Sequence, residues 1–489
     1  MAAAKNSAMQ VTFLDRVVMH FAPQAGARRL QARARTNVLM NYDAATRGRR
    51  ANGWRAPASS ADAAASGGDR ARMRNLARDF VRNRPFATRG ISVITGNVVG
   101  TGIMPSIEAS SASRRKKVEI ILRAHLMSTD IDAMGQHSLP GLQRVAMNAV
   151  VEDGEVLIRR RMRSGRFAKS LNLPFQVELL EADYLDTRVT RNGQNEVVDG
   201  IEFGPTGRIE AYHLYAQHPG SAHRILSLKS VRIPASEIIH IRRADRPGQV
   251  RGVSWFAPVM LTLGDLSDYQ EAEILKQKIA ALMAGFLESD AITDGPANPA
   301  DEEADEEGLG EIGPGTITAL PPGKTIRFTA PPAVQGYDGF MRQNLAAVAM
   351  GLGITYESLA GDLSKVNFSS GRMGRIEMDR NVETWQQLIM VDQMCAGLVR
   401  WIKEAWLLLP SLGKNDFNVN WTAPRRALID PTKEIPAIIK KVDAGLSSLQ
   451  REQRQLGLDP EVIAREREDD AARAASMPAD DANTPPASK

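Results

Sequence analysis

Met73, Leu76, Ala77 and Phe80 recur at three- and four-residue spacing and predict a helix from Asp69 to Arg84, which Pro85 ends. The same period predicts helices over roughly Ser113–Met127 and Leu139–Glu152. Glu155–Met162 alternates instead, as a strand does, and from Phe175 to Ile241 short β-like runs are separated by Asn-Gly and Gly-Arg turns. Gly264–Glu288 then reads as one helix, about 37 Å long at about 1.5 Å per residue. Its first half is mixed polar, whereas Ile279–Leu287 is apolar nearly all round and must be covered on every side. In one chain that requires a deep core; in a ring it requires neighbours on both flanks.

An acidic, Gly/Pro-rich stretch, Asp290–Pro332, follows, with strands predicted at Thr316–Leu320 and Thr325–Phe328. A helix over Gly336–Leu352 returns, so a small β-module sits at the tip of a two-helix excursion. Gly353–Arg372 reads as a polar loop, Arg375–Leu409 as a long helix, and Asp430–Ala475 as two helices divided at Gly457–Asp459 and Pro460. The Ala/Arg/Ser/Gly-rich start, with Pro57–Gly68 extended, and the Pro/Ala/Asp-rich end from Ser476 carry no core pattern. The fold class expected is α+β, predominantly helical.

At 489 residues, 43% hydrophobic and 5% aromatic, the chain is long enough for two or three domains. No run of about 18 apolar residues exists, so no membrane span is expected, and Asp15, Arg16 and His20 break the apolar patch Val11–Phe21, which is not a signal peptide. The single cysteine, Cys395, excludes an internal disulfide framework, suits a reducing cytoplasm, and reads as a buried thiol. Net charge is only +5, yet residues 1–100 carry 17 Lys and Arg against 5 Asp and Glu, while Glu288–Glu311 carries 10 acids and no base. The basic portion suits either nucleic acid or an acidic protein neighbour.

Catalytic and ligand-binding patterns fail one by one. Gly323-Lys324-Thr325 lacks the earlier glycine of a phosphate loop, since Thr318 stands there, and Gly100-Thr101-Gly102 lacks the third glycine of a dinucleotide fingerprint, since Pro105 stands there. The seven histidines show no metal-ligand spacing; His213, His218 and His223 are five apart. The acids at 301–307 lack the alternation and central glycine of a calcium loop, and no Gly-x-Ser-x-Gly is present. No metal, no cofactor and no enzymatic activity are expected.

The most informative stretch is Ile238–Met260, where an apolar run leads into Arg242, Arg243 and Arg246, then Pro247, Gly248, Gln249, Arg251, Gly252 and Trp255. Taken on residue chemistry alone it is a basic surface loop between a strand and a helix. Its wording resembles the central signature of lambda-type tailed-phage portal proteins. Four further elements resemble that family in order: Asn41–Trp54; Arg82–Ile91 with Val98–Ile103; Asp199–Glu202 with Gly207–Arg208 and Ala211–His213; and Asn367, Ser369, Ser370 and Arg372.

The resemblance implies a portal fold assembled as a ring of about twelve copies at one capsid vertex, acting as a channel for packaging and ejecting double-stranded DNA. It implies a basic N-terminal arm at 1–68, a wing at 69–263, stem helices at 264–288 and 336–352 and a clip at 289–335. A channel loop at 353–375, a return helix and connector at 376–429, a crown at 430–475 and a tail at 476–489 complete the layout. The partners implied are copies of itself, DNA without sequence preference, the terminase large subunit, major capsid or scaffold proteins, and head-completion or adaptor proteins. Candidate channel-lining residues are Lys276, Lys278, Arg342, Lys365, Arg372 and Arg375; each could instead pair with a neighbouring subunit through Glu271 or Glu273. Asp301, Glu302, Glu303, Asp305, Glu306 and Glu307 are the candidate docking surface of the clip, or else a solvated loop. The competing reading is a DNA-binding or minor capsid protein of a phage-like particle.

Overall fold

The computed structural model of the chain describes residues 59–65, 68–221, 229–281, 285–289, 324–328, 336–424, 430–458 and 460–476. The chain divides into Met1–Ser60 and Ala61–Lys489, and every helix and strand among the described residues belongs to the second unit. Residues 1–58 of the expected arm, the expected strand Thr316–Leu320 and the acids at 301–307 lie outside the described residues.

The unit opens with α1 (Asp69–Asn83) and α2 (Pro85–Val98), then β1 (Met104–Ala109), α3 (Ala112–Leu126) and α4 (Leu139–Asp153). β2 (Glu155–Met162) is the middle strand of an antiparallel sheet, with β3 (Phe175–Leu180) on one side and β9 (Ile238–Arg242) on the other. Between them a second antiparallel sheet runs in order through β4 (Arg191–Asn192), β5 (Asn195–Val198), β6 (Ile201–Phe203), β7 (Ile209–Tyr215) and β8 (Ser230–Pro234).

The two-residue period of β2 divides the core. Val156 and Ile158 join the large helical core, while Leu157, paired with Leu180, joins Ile201, Tyr212 and Leu214 of the five-stranded sheet. Gly154, at φ +94°, turns α4 into β2; a Cβ there would sit 2.3 Å from the backbone of Val253, so only glycine permits this crossing.

α5 (Met260–Ala281) leads out to β10 (Gly285–Ser289), which pairs antiparallel with β11 (Lys324–Phe328), and α6 (Tyr337–Leu352) leads back. Tyr269 of α5 stacks on Tyr337 at 5.7 Å and meets Phe340 at 4.6 Å, which fastens the two helices. A forty-residue helical rod follows: α7 (Phe368–Trp385), a π-helical segment Gln386–Cys395, and α8 (Ala396–Leu407). In that segment the Gln393 amide accepts from Arg242 N–H and donates to Arg242 C=O, each at 3.0 Å, closing the free edge of β9. β12 (Phe417–Thr422) pairs with β1, and α9 (Pro431–Asp443), α10 (Leu449–Gln455) and α11 (Pro460–Ser476) end the described chain.

Several expectations are corrected. The helix expected over 264–288 runs from Met260 to Ala281, because Pro258 sets its entrance, and Gly285–Ser289 is extended because it pairs with β11. The apolar side chains from Ile279 to Leu287 lie outside the described residues. The loop expected over 353–375 contains a helical turn at Tyr356–Ala360 and the first eight residues of α7. The C-terminal pair is three helices, broken again at Gly445, φ +71°, ahead of the Ser448 cap of α10. α2 was not expected at all. Its Ile91, Val93, Ile94 and Val98 are β-formers, but burial on nearly every side decides the conformation. Among the described residues no helix is long and apolar enough to cross a membrane.

Candidate functional site

Glu155 begins β2, where the sheet register sets it opposite Arg242, and His240 lies opposite Leu157. The segment after β9 wraps back over this point. Gln249 holds it in shape: its Oε1 accepts from Asp245 and Arg246 N–H at 2.9 and 3.2 Å, and its Nε2 donates to Arg251 C=O at 2.9 Å. Gly248, at φ +75°, turns the chain after Pro247.

Arg251 is carried inward to 2% exposure against Glu155, which is wholly buried. The Arg251 Nη2 lies 2.6 Å from Glu155 Oε1, and Nη1 donates to Asp199 C=O at 2.8 Å. Glu155 Oε2 accepts from Gly252 N–H and from His240 Nε2, both at 2.9 Å. Burial pushes the Glu155 carboxyl up, but Arg251 and His240 outweigh it and hold it well below the usual carboxylate range. Burial lowers His240 despite Glu155, so it sits as a neutral imidazole donating through Nε2. Asp62 accepts from the backbone N–H of Val250 and Arg251, and Arg70 spans Asp62 and Asp199 at 3.2 and 2.5 Å.

Trp255, 1% exposed, completes the joint. Its backbone N–H donates to Val151 C=O at 3.0 Å, its ring lies 4.9 Å from Trp385 of α7, and the Arg243 guanidinium covers it at 4.5 Å. The basic surface loop expected from residue chemistry is therefore corrected. Arg246 is exposed, but Arg251, Gly252 and Trp255 are internal and lock the sheet to the helical rod.

The second motif is also architectural. Asn367 Oδ1 accepts from Ser370 N–H at 2.8 Å while Ser370 Oγ accepts from Asn367 N–H at 3.2 Å, a reciprocal cap on α7. Ser369 and Arg372 are exposed beside it.

The six cationic candidates are spread along the excursion and its return. Lys276 lies 3.7 Å from Glu273 of its own helix, and Lys278 is exposed. Arg342 lies 3.7 Å from Asp362 and over the Tyr356 ring. Lys365 is exposed, and Arg375 is 4.0 Å from Asp379 one turn on. Arg372 and Arg375 share a site: both line a cleft of about 1150 Å³ between α7, β12 and the helices α9 and α10. Lys441, Arg451 and Arg454 face the same cleft, together with Asp379, Glu383 and Glu434. The last three cations were not anticipated, although Arg451 and Arg454 stand one helical turn apart.

A carboxylate cluster also escaped the sequence reading. Glu181, Asp183 and His218 converge within 4.8 Å, but Arg78 lies 2.9 Å from Glu181, 2.8 Å from Asp183 and 2.5 Å from Asp153, and Arg74 holds Asp183 at 2.7 Å. The protein's own guanidinium groups supply the positive charge there. Burial raises Asp153 to about 6 against the pull of Arg78, and burial with the neighbouring Asp153 raises Glu152 to about 7.

A family model described as phage portal protein, lambda family, matches residues 47–386. The probable portal protein of Halomonas phage phiHAP-1 is 26% identical over 83% of this chain and 81% of its own length. The portal protein of Escherichia phage N15 is 24% identical, and portal protein B of Escherichia phage lambda 22%, each over 87% of this chain and 88% of the relative. Two solved structures of gene transfer agent (GTA) particle necks are similar at low level. One, computed with C6 symmetry, gives a TM-score of 0.43 at 15% identity, covering 84% of this chain and 98% of the other. The other, computed with C12 symmetry, gives 0.44 at 14%, covering 79% and 94%. The family match takes in the buried joint, both helices of the excursion and the cap of α7, and the chain belongs to the lambda family of phage portal proteins.

Proposed function

We propose that this portal protein assembles as a ring of about twelve copies around a bore that passes double-stranded DNA, with α5 and α6 as the stem. The observation that carries the reading is the uncovered apolar surface of that pair. Leu261 is 85% exposed, Met350 79%, and Ile274 and Leu275 are more than half exposed, although both helices belong to the folded unit. Large aliphatics left open in one protomer are what neighbouring copies cover when the contact is head-to-tail around a closed ring.

Bore-facing charge in this reading is mixed. Each phosphate neutralised by Lys or Arg strengthens DNA binding, so a uniformly basic lining would hold DNA rather than let it pass. Lys276 beside Glu273, Arg342 beside Asp362 and Arg375 beside Asp379 each carry a local counter-charge, which suits sequence-blind, weak contact. Lys278, Lys365 and Arg372 supply the exposed cations. The acids 301–307 are the proposed docking surface for the terminase large subunit during packaging and for head-completion or adaptor proteins afterwards. Major capsid or scaffold proteins would meet the outside of the ring. The protein is a virion component, assembled in the host cytoplasm in this reading.

Size-exclusion chromatography with light scattering tests the assembly. The expected mass is near a dozen protomers of 53.4 kDa, and Leu261→Asp with Ile274→Asp should yield folded smaller species. A wild-type chain of one or two protomers under all salt conditions would overturn the reading.

A further inference from the structure

A pocket of about 240 Å³ opens between β1, α3 and the turn joining α10 to α11. Met104, Ile107, Leu122 and Met127 make its floor, with Leu458 at the side. Among the described lining residues stand Arg115 and Arg123 from α3 and Arg454 from α10, with Glu119 the one acid; three cations less one anion give these residues a charge of +2.

Two features select the occupant. The space is too small for a drug-sized ligand or cofactor, whose pockets run to roughly 300–1,000 Å³, but accepts one large side chain. The charge calls for an anion beside that group. Arg454 makes a neutral contact, Nε to Thr422 Oγ1 at 3.2 Å. Burial lowers its basicity; Glu119 offsets part of that, and Arg451 adds to the lowering. A carboxylate arriving at the rim would compensate a guanidinium that the protomer leaves partly uncompensated.

We propose that this pocket receives a short acidic peptide segment of a protein partner, one large apolar side chain on the methionine-lined floor and flanking carboxylates on Arg123 and Arg454. The adaptable floor suits such an anchor, since methionine repacks around differently shaped groups. The site is separate from the stem helices and stands whether or not the chain forms a ring.

The test uses the full-length protein and a fluorescein-labelled hexapeptide with one phenylalanine among aspartates, read by fluorescence polarisation. Two control peptides replace the phenylalanine with glycine or the aspartates with lysines. Saturable binding is expected, weakened tenfold or more by either replacement and by Arg123→Glu or Leu458→Asp. Both variant side chains are exposed, so an unchanged circular dichroism melt is expected with them. In wild-type protein labelled at methionine methyls, the peptide should shift the Met104 and Met127 resonances. Absence of saturable binding at millimolar peptide would overturn the proposal. So would equal binding of the glycine peptide, indifference to both variants, or binding that leaves both methyls unmoved.

Discussion

The joint around Glu155 and Arg251 and the C-terminal helices α9–α11 are both rich in charge, and they use it in opposite ways. In the joint, guanidinium, carboxylate and imidazole are sealed from water and paired with one another and with backbone groups, although His240 Nδ1 has no partner among the described residues. In α9 no side chain is buried, Ile435 and Ile439 stand about half exposed, and α10 buries only Glu452, against Lys441 at 2.9 Å. The family match covers the first region and ends at Gln386, before the second. A buried ion pair tolerates one geometry, because either partner left alone is an uncompensated charge in low dielectric. Helices resting on a wide cleft can be repositioned with little loss. The rigid region fixes the frame from which α5, α6 and α7 spring, and the open region meets whatever surrounds the protomer.

Substitutions should separate the two regions sharply. Arg251→Ala leaves Glu155 buried without its counter-charge, and should cost about 3–5 kcal/mol of protomer stability by denaturant unfolding. An unfolding midpoint close to wild type would show that the pair does not hold the frame.

Next in size is a pH effect. Asp153 and Glu152 are carboxyls raised in the fold, so their contribution is fully present below the ordinary carboxylate range and is lost as pH climbs through about 6 and about 7. For Asp153 this is on the order of 2–3 kcal/mol. Burial lowers His125 to about 4, which works in the opposite sense below its ordinary value, but equally in wild type and variant. The stability difference between Asp153→Asn and wild type should therefore shift in favour of the variant between pH 4.5 and 7.5. A constant difference across that range would contradict the buried, raised carboxyl.

Asn367→Ala removes one arm of the α7 cap and should cost about 1 kcal/mol, with Asn367→Asp retaining most of it. Smallest of all, Ile439→Ser in α9 should change protomer stability by no more than about 0.5 kcal/mol. A loss as large as that from Arg251→Ala would mean that α9 belongs to the rigid frame.

Much of this architecture was legible because period and burial agree. β2 runs from Glu155 to Met162 as the alternation predicts, and α4 begins at Leu139 and ends before the glycine that turns it. α2 was illegible because its β-branched residues contradict the helix that packing imposes. Arg251 was misplaced for a related reason: arginine is rarely internal, so an arginine-rich loop reads as surface. The signal lay elsewhere, in two polar residues inside apolar strands, Glu155 ahead of Val156-Leu157-Ile158 and His240 between Ile239 and Ile241. Such residues in buried strands demand partners, and Arg251 is the partner. The cleft beside Arg372 was unreadable because its walls come from segments as far apart in the chain as Ser106 and Gln455, which no local pattern connects.

Imaging of single particles of the purified full-length protein tests the central claim most directly. The account predicts annular particles with a bore wide enough for a duplex and about twelve repeats around it. A field of lone compact protomers, unchanged by concentration and salt, would contradict it.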